Sequence, residues 1–219
     1  MRASRGFPEA SAIRVVVATL GPGYVRGDRF AVSGRVGAGA HLIVGAQSAS
    51  RALPGTPGSS AIGEWFVGEA ARLELRNEPL VVFEGAVHET RTDVHLERGA
   101  SVTLTDLVVL AGGASREVSS TTRVVSAAGL VLADRAVFRP ALDTYEAVGT
   151  LVTVREGDRG ERVREVLDHE ALALRGGGLA IGVGGTPAGA SVVRILGRDA
   201  WTVRSALVRL RNAIHPPSP

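Results

Sequence analysis

Apolar and polar residues alternate with a period of two along most of this chain. The cleanest stretch is Ala70–Arg76, with Leu73 and Leu75 on one side and Arg72, Glu74 and Arg76 on the other. That is the pattern of a half-buried strand. Similar runs predict strands at Ile13–Thr19, Phe30–Val36, Leu42–Gly45, Val81–Phe83, Val87–Leu96, Ser101–Leu110, Thr121–Val125, Leu130–Phe138, Thr150–Arg155 and Val192–Leu196. Glycine-containing turns separate most of them, so the expected fold class is all-β, built of stacked or sandwiched strands in a β-helical or sandwich-like way. A weak repeat supports stacking. Val36–Ala40, Val67–Ala71 and Leu96–Ala100 share a Gly/Ala-rich pattern, and Ala40, Ala70 and Ala100 are evenly spaced by 30 residues.

One segment has helical spacing. Val203, Ala206, Leu207, Leu210, Ala213 and Ile214 form a stripe behind a candidate N-cap, Asp199, and Pro216 and Pro217 stop it. Arg204, Arg209 and Arg211 mostly fall off the stripe. The organisation expected is a single domain over residues 1–219, with a β-rich body at 13–196 and a C-terminal helix at 199–215. Leu53–Ser60 reads as a flexible surface loop, and Gly157–Gly160 and Gly176–Gly185 as turns. The last run lacks a G-K-[ST] ending and a helix behind it, so it is no phosphate cradle.

Composition changes this picture little. The 25 basic residues are all arginine, which explains a pI near 10.4 at a net charge of only +3. They are scattered among carboxylates as a solvated outer face, and aromatics are 4% of the chain, so nucleic-acid binding is not expected. Without cysteine there is neither a disulfide frame nor a thiolate metal site. No apolar run is long enough for a membrane span and residues 1–12 do not read as a signal peptide, so the expected place is the cytoplasm, away from membranes.

The five histidines form no close ligand set, and His88 and His95 fall on opposite faces of one strand. No nucleophile elbow is present. Acidic residues stand out instead. Asp106 is in phase with Val102, Leu104, Val108 and Leu110, and Asp134 with Leu130, Leu132, Ala136 and Phe138. A carboxylate on an apolar face needs compensation from an arginine, backbone amides, water in an internal passage or a cation. Asp28, in Gly27-Asp28-Arg29, stands where a turn enters a strand and could simply bond its own turn.

Leu20–Phe30 (LGPGYVRGDRF), with Gly21, Gly23, Gly27 and Asp28, resembles the glycine signature of the UreD (UreH) family of urease accessory proteins. Gly39-Ala40-His41, the Ala49-Ser50-Arg51 turn, LRNEPLVVFEGA with Phe83 and Gly85, and Asp93–Asp106 follow in the order and spacing of that family. Arg26, Ala52 and Ala111-Gly112 depart from its pattern, and the strands usual before the signature are mostly absent, as in a short, divergent member. The resemblance implies a β-helical protein without catalysis of its own, acting with UreF- and UreG-type proteins on the urease apoprotein in nickel incorporation. It implies no tightly bound cofactor and at most transient Ni²⁺, with Asp28, Asp106 and Asp134 at positions associated with a water-filled passage. The alternative is a non-enzymatic all-β binding module for protein or carbohydrate.

Overall fold

The computed structural model describes residues 2–19, 21–111, 117–138, 145–175 and 178–215; Leu20, Gly112, Gly176, Pro216 and Pro217 lie outside them. In chain order the elements are β1 (Arg2–Ala3), β2 (Phe7–Glu9), β3 (Ala12–Ala18), β4 (Arg29–Val36), β5 (His41–Ala46), β6 (Ser50–Ala52), β7 (Ser59–Val67), β8 (Arg72–Arg76) and β9 (Leu80–Phe83). They continue as β10 (Val87–Leu96), β11 (Ser101–Ala111), β12 (Glu117–Ser126), β13 (Gly129–Phe138), β14 (Ala147–Arg155), α1 (Glu161–Leu174), β15 (Ala180–Gly185), β16 (Ser191–Gly197) and α2 (Ala200–Ile214).

The strands alternate between two facing sheets. In one, β3, β5, β8 and β11 lie parallel; in the other, β4, β7, β10 and β12 do. The chain therefore winds as a coil. The repeat is real and its period is slightly uneven: Leu42 pairs with Leu73 and Leu73 with Val102, 31 and then 29 residues on. The equivalent alanines are Ala40, Ala71 and Ala100, so the even spacing through Ala70 is one residue out of phase. At each corner the alanine amide closes the same turn, onto Gly37, Gly68 and Glu97 carbonyls. Beyond β12 the winding stops. β13 returns antiparallel along β12, β14 extends the first sheet antiparallel to β11, and β16 pairs antiparallel with β14.

The residue before each corner alanine takes the left-handed conformation: Gly39 (φ 66°), Ala70 (φ 54°) and Gly99 (φ 69°). Only the middle coil places a side chain there, and the site is exposed. Ala70→Gly is expected to stabilise the chain by about 0.5–1 kcal/mol, raising Tm by about 1–4 °C. A thermal melt showing no gain would mean that glycine's extra unfolded-state entropy cancels the relieved strain.

Packing explains where the polar residues end up. Between the sheets lie two apolar clusters, one around Leu73, Leu75, Val102, Leu104 and Trp65, the other around Val82, Val108, Val118, Phe138 and Tyr24. A third, with Leu151, Ile195, Leu167, Val203 and Leu210, fills the space between the outer face of the first sheet and the two helices. β14, at the middle of these layers, is buried from Ala147 to Val154.

α2 starts as predicted: the Thr202 amide donates to the Asp199 carboxylate at 2.7 Å, and Val203, Ala206, Leu207 and Leu210 are buried. Three readings need correction. Glu161–Leu174 is a second helix, which buries Leu167 and Ala171 and packs Val163 and Leu174 beside them. Gly178–Gly185 is mostly strand β15, not turn. Ser59 and Ser60 begin β7 and Ser59 is buried, so the loop ends at Gly58.

A cavity beside a polar belt between two apolar cores

The glycine-rich pieces singled out in the sequence share one end of the coil. Gly21-Pro22-Gly23 leads into Tyr24, whose amide donates to the Arg51 carbonyl at 2.7 Å, and the Leu53 amide returns to the Tyr24 carbonyl. A Cβ at Gly23 would sit 2.4 Å from that Arg51 carbonyl oxygen, so the close approach requires glycine there. Ser50 and Arg51 belong to β6, beside Leu80–Val82 of β9. Phe83 and Gly85 form the next turn, where the Ala86 amide donates to the Phe83 carbonyl. Gly27 donates to the Pro57 carbonyl, and the Asp28 carboxylate accepts from the Val25 amide at 3.0 Å, closing its own turn.

Asp106 and Asp134 do point between the sheets, as their phase required. Asp106 pairs with Thr150 of β14, and Thr150 with Arg194 of β16. Those three side chains make one polar row across the inner face of the first sheet. Opposite runs a second row, Val32, Gly63, Thr92, Thr122 and Asp134. The rows meet through Arg194, which hydrogen-bonds both Thr150 and Asp134. This polar belt separates the two inter-sheet apolar clusters.

Beside the belt lies a cavity of about 190 Å³, lined by Asp106, Asn77, Thr90, Thr92, Ser120 and Thr150 among apolar neighbours such as Trp65 and Leu75. Asp106 is on its wall; Asp28 and Asp134 are not. Asn77 donates to the Asp106 carboxylate. Protein surrounds that carboxyl even though a part of its surface faces the cavity, so burial pushes its pKa up. The Asn77 hydrogen bond and the charge of Arg194 offset this only in part.

A break in the first sheet opens the cavity outward. β11 pairs with β8 as far as Thr105 and with β9 from Val108, leaving Asp106 and Leu107 beside the link Asn77-Glu78-Pro79, whose Asn77 amide donates to the Thr105 carbonyl and whose Pro79 carbonyl accepts from the Ser50 amide. The exposed Asn77 marks the opening.

His88 is the residue that sequence reasoning missed. Its ring is 1% exposed, stacks on Tyr24 with centroids 4.6 Å apart, and lines the cavity. Nδ1 lies 2.9 Å from the Ser59 hydroxyl, while Nε2 is buried with no partner. Burial pushes its pKa down to about 4, so the imidazole is neutral at physiological pH. His95 does face the opposite way, stacked on Phe66.

A different cluster corrects the reading of Arg72, Glu74 and Arg76 as a solvated face. Glu74 is 2% exposed and holds His41 Nε2 at 2.9 Å, Arg72 at 2.9 Å and Arg76 at 2.8 Å. His215, at the end of α2, closes over the same region by bonding Thr103 at 2.7 Å. Among the described residues no group of three or more His, Cys, Asp or Glu side chains is arranged to hold a metal ion, and no helix is long and apolar enough to cross a membrane.

Comparison with known proteins gives a consistent result. Residues 1–218 match the UreD urease accessory protein family. The UreD urease accessory protein of Streptomyces avermitilis is 32% identical over 94% of this chain and 83% of its own length. That of Bacillus cereus is 23% identical over 84% of this chain and 72% of its own. That of Sorangium cellulosum is 30% identical over 84% of this chain and 65% of its own. Together with the coiled two-sheet fold, these matches show that the chain belongs to the UreD family of urease accessory proteins.

Proposed function

We propose that this chain is a non-catalytic scaffold for nickel incorporation into apo-urease, acting in the cytoplasm with UreF- and UreG-type proteins, and that its interior cavity gives Ni²⁺ a transient path. The observation that carries the reading is the Asp106 carboxyl, with a few hydroxyl and amide groups, on the wall of an otherwise apolar cavity inside a β core. A carboxylate so placed is costly for folding and has a purpose if a cation uses it. Oxygen donors with at most a lone imidazole hold Ni²⁺ weakly, which suits transit over storage. In this reading Asp106 is the passage carboxylate and His88 Nε2 a second donor. Asp134 restrains Arg194 beside the route, and Asp28 shapes the rim turn.

The decisive experiment is co-purification with the UreF-type partner and apo-urease, followed by activation with nickel and the UreG-type protein. Association and chain-dependent activation are expected; folded partners that ignore the chain would overturn the proposal. His88→Phe keeps an aromatic ring against Tyr24 but removes Nε2, and should lower the activation rate several-fold. Unchanged activation would remove the imidazole from the route and leave Asp106 alone on it.

A further inference from the structure

A second cavity, of about 240 Å³, lies on the outer side of the sheet break, between β3, the Arg76–Pro79 segment and α2. Arg14, Arg76, Arg204 and Arg211 line it, with Glu78 as its one carboxylate among the described residues. Each of the first three guanidinium groups already has a partner. Arg14 meets Glu9 at 3.0 Å, Arg76 meets Glu9 at 2.7 Å and Glu74 at 2.8 Å, and Arg204 meets Glu78 at 3.1 Å. Arg211 has no carboxylate at ion-pair distance among the described residues, Glu74 and Glu9 acting on it only through charge at longer range; its one side-chain hydrogen bond there goes to the Asn212 amide oxygen at 3.2 Å.

With Arg72, also on Glu74, five guanidinium groups share Glu9, Glu74 and Glu78. Two positive charges are left over. The nearby His215 is kept neutral by burial and then by Arg72, so it does not change that balance. Arginine cannot shed its proton. The C-terminal dipole of α2 supplies about half a negative charge near Arg211, less than the excess. Buried Arg14 Nε also lacks an acceptor.

From this geometry we infer that the arginine-lined cavity is a binding site for a small oxyanion, with the Arg211 guanidinium as its principal donor. The planar fork of a guanidinium matches two oxygens of a phosphate or carboxylate, and the cavity accommodates such an anion together with water. The two cavities share Asn77, Glu78 and Leu107 on their walls. A bound anion would therefore neutralise the positive outer mouth of the sheet break and ease the approach of a cation toward Asp106. That consequence rests on the nickel reading; the binding site itself does not.

The test is calorimetry and thermal melting of the full chain with inorganic phosphate, with acetate as a planar probe, against sodium chloride at equal ionic strength. Saturable binding and a rise in Tm beyond the chloride control are expected, and Arg211→Gln should weaken affinity about tenfold. A preference for phosphate or for acetate identifies which oxyanion geometry the site takes. No binding beyond chloride would overturn the inference, as would Arg211→Gln binding like the parent. If Arg211→Gln fails to fold, Arg204→Gln decides, because its side chain is half-exposed; unchanged affinity there also overturns the site. Because anion binding is read on the isolated chain, its failure is separate from any failure of urease activation.

Discussion

Asp106→Ala is expected to cut nickel-dependent activation of apo-urease about tenfold or more while leaving the chain at least as stable as before. The two effects have one cause. Desolvation inside the cavity penalises the charged carboxyl, so removing it relieves a cost, and its exposed partner Asn77 can turn to water. Asp134→Ala should behave differently. It strips Arg194 of its only ion-pair partner among the described residues and should cost about 1–3 kcal/mol. The pH dependence follows from the sign of the Asp106 shift. Its folded pKa is raised above 3.8, so the folded chain binds that proton more tightly than the unfolded chain. The stability penalty of Asp106 therefore grows as pH rises through the folded value and fades as pH falls. The advantage of Asp106→Ala should be largest at neutral pH and shrink in acid. Reconstituted urease activity, with melts of the isolated chain at several pH values, would check both halves. An insoluble variant, or one that activates like the parent, would end the case for Asp106 as a passage group.

The largest stability loss is expected from Glu74→Gln, about 3–5 kcal/mol, or a fall in Tm of about 10 °C. Glu74 sits on the outer face of β8, flanked by β5 and β11, and neutralising it leaves Arg76 with Glu9 and Arg72 with no ion-pair partner among the described residues. Burial alone would raise its pKa, but the Arg76 hydrogen bond and the charges of Arg76 and Arg72 outweigh this and hold it below 4.5. A lowered carboxylate stabilises the fold above its unfolded value and loses that contribution as pH falls through the folded one. The gap between parent and variant should thus be full above pH 4.5 and close below it. His88 and His215 act earlier in an acid titration. Both are held near 4 against 6.5 when unfolded, so their contribution is complete above 6.5 and declines toward 4. Chemical denaturation across that range would expose both steps, and a pH-independent Glu74→Gln difference would refute the ion-pair account.

Much of this architecture was legible in the chain because period-two alternation and the corner motif are local. The inward phase of Asp106 and Asp134 could be read from their own strands for the same reason. What escaped depended on neighbours distant in sequence. His88 becomes a cavity group because register sets it beside Ser59 and packing lays it on Tyr24. Glu74 looked solvated because alternation reports a face but not what covers it, and here β5, β11 and the end of α2 do. α1 was overlooked although Val163, Leu167, Ala171 and Leu174 recur at helical spacing and pack on the third cluster; only Leu167 and Ala171 are fully buried, and polar residues stand at most positions between.

The coil also sets a length. Val32, Gly63, Thr92 and Thr122 are the same rung position in four successive parallel strands. Parallel neighbours are about 4.8 Å apart, so those four residues span about 14 Å. The interior row is thus a ruler graduated in strands, where each winding adds one residue at a fixed step. Inserting or deleting a whole winding would lengthen or shorten the row by about 4.8 Å without turning any inward residue outward.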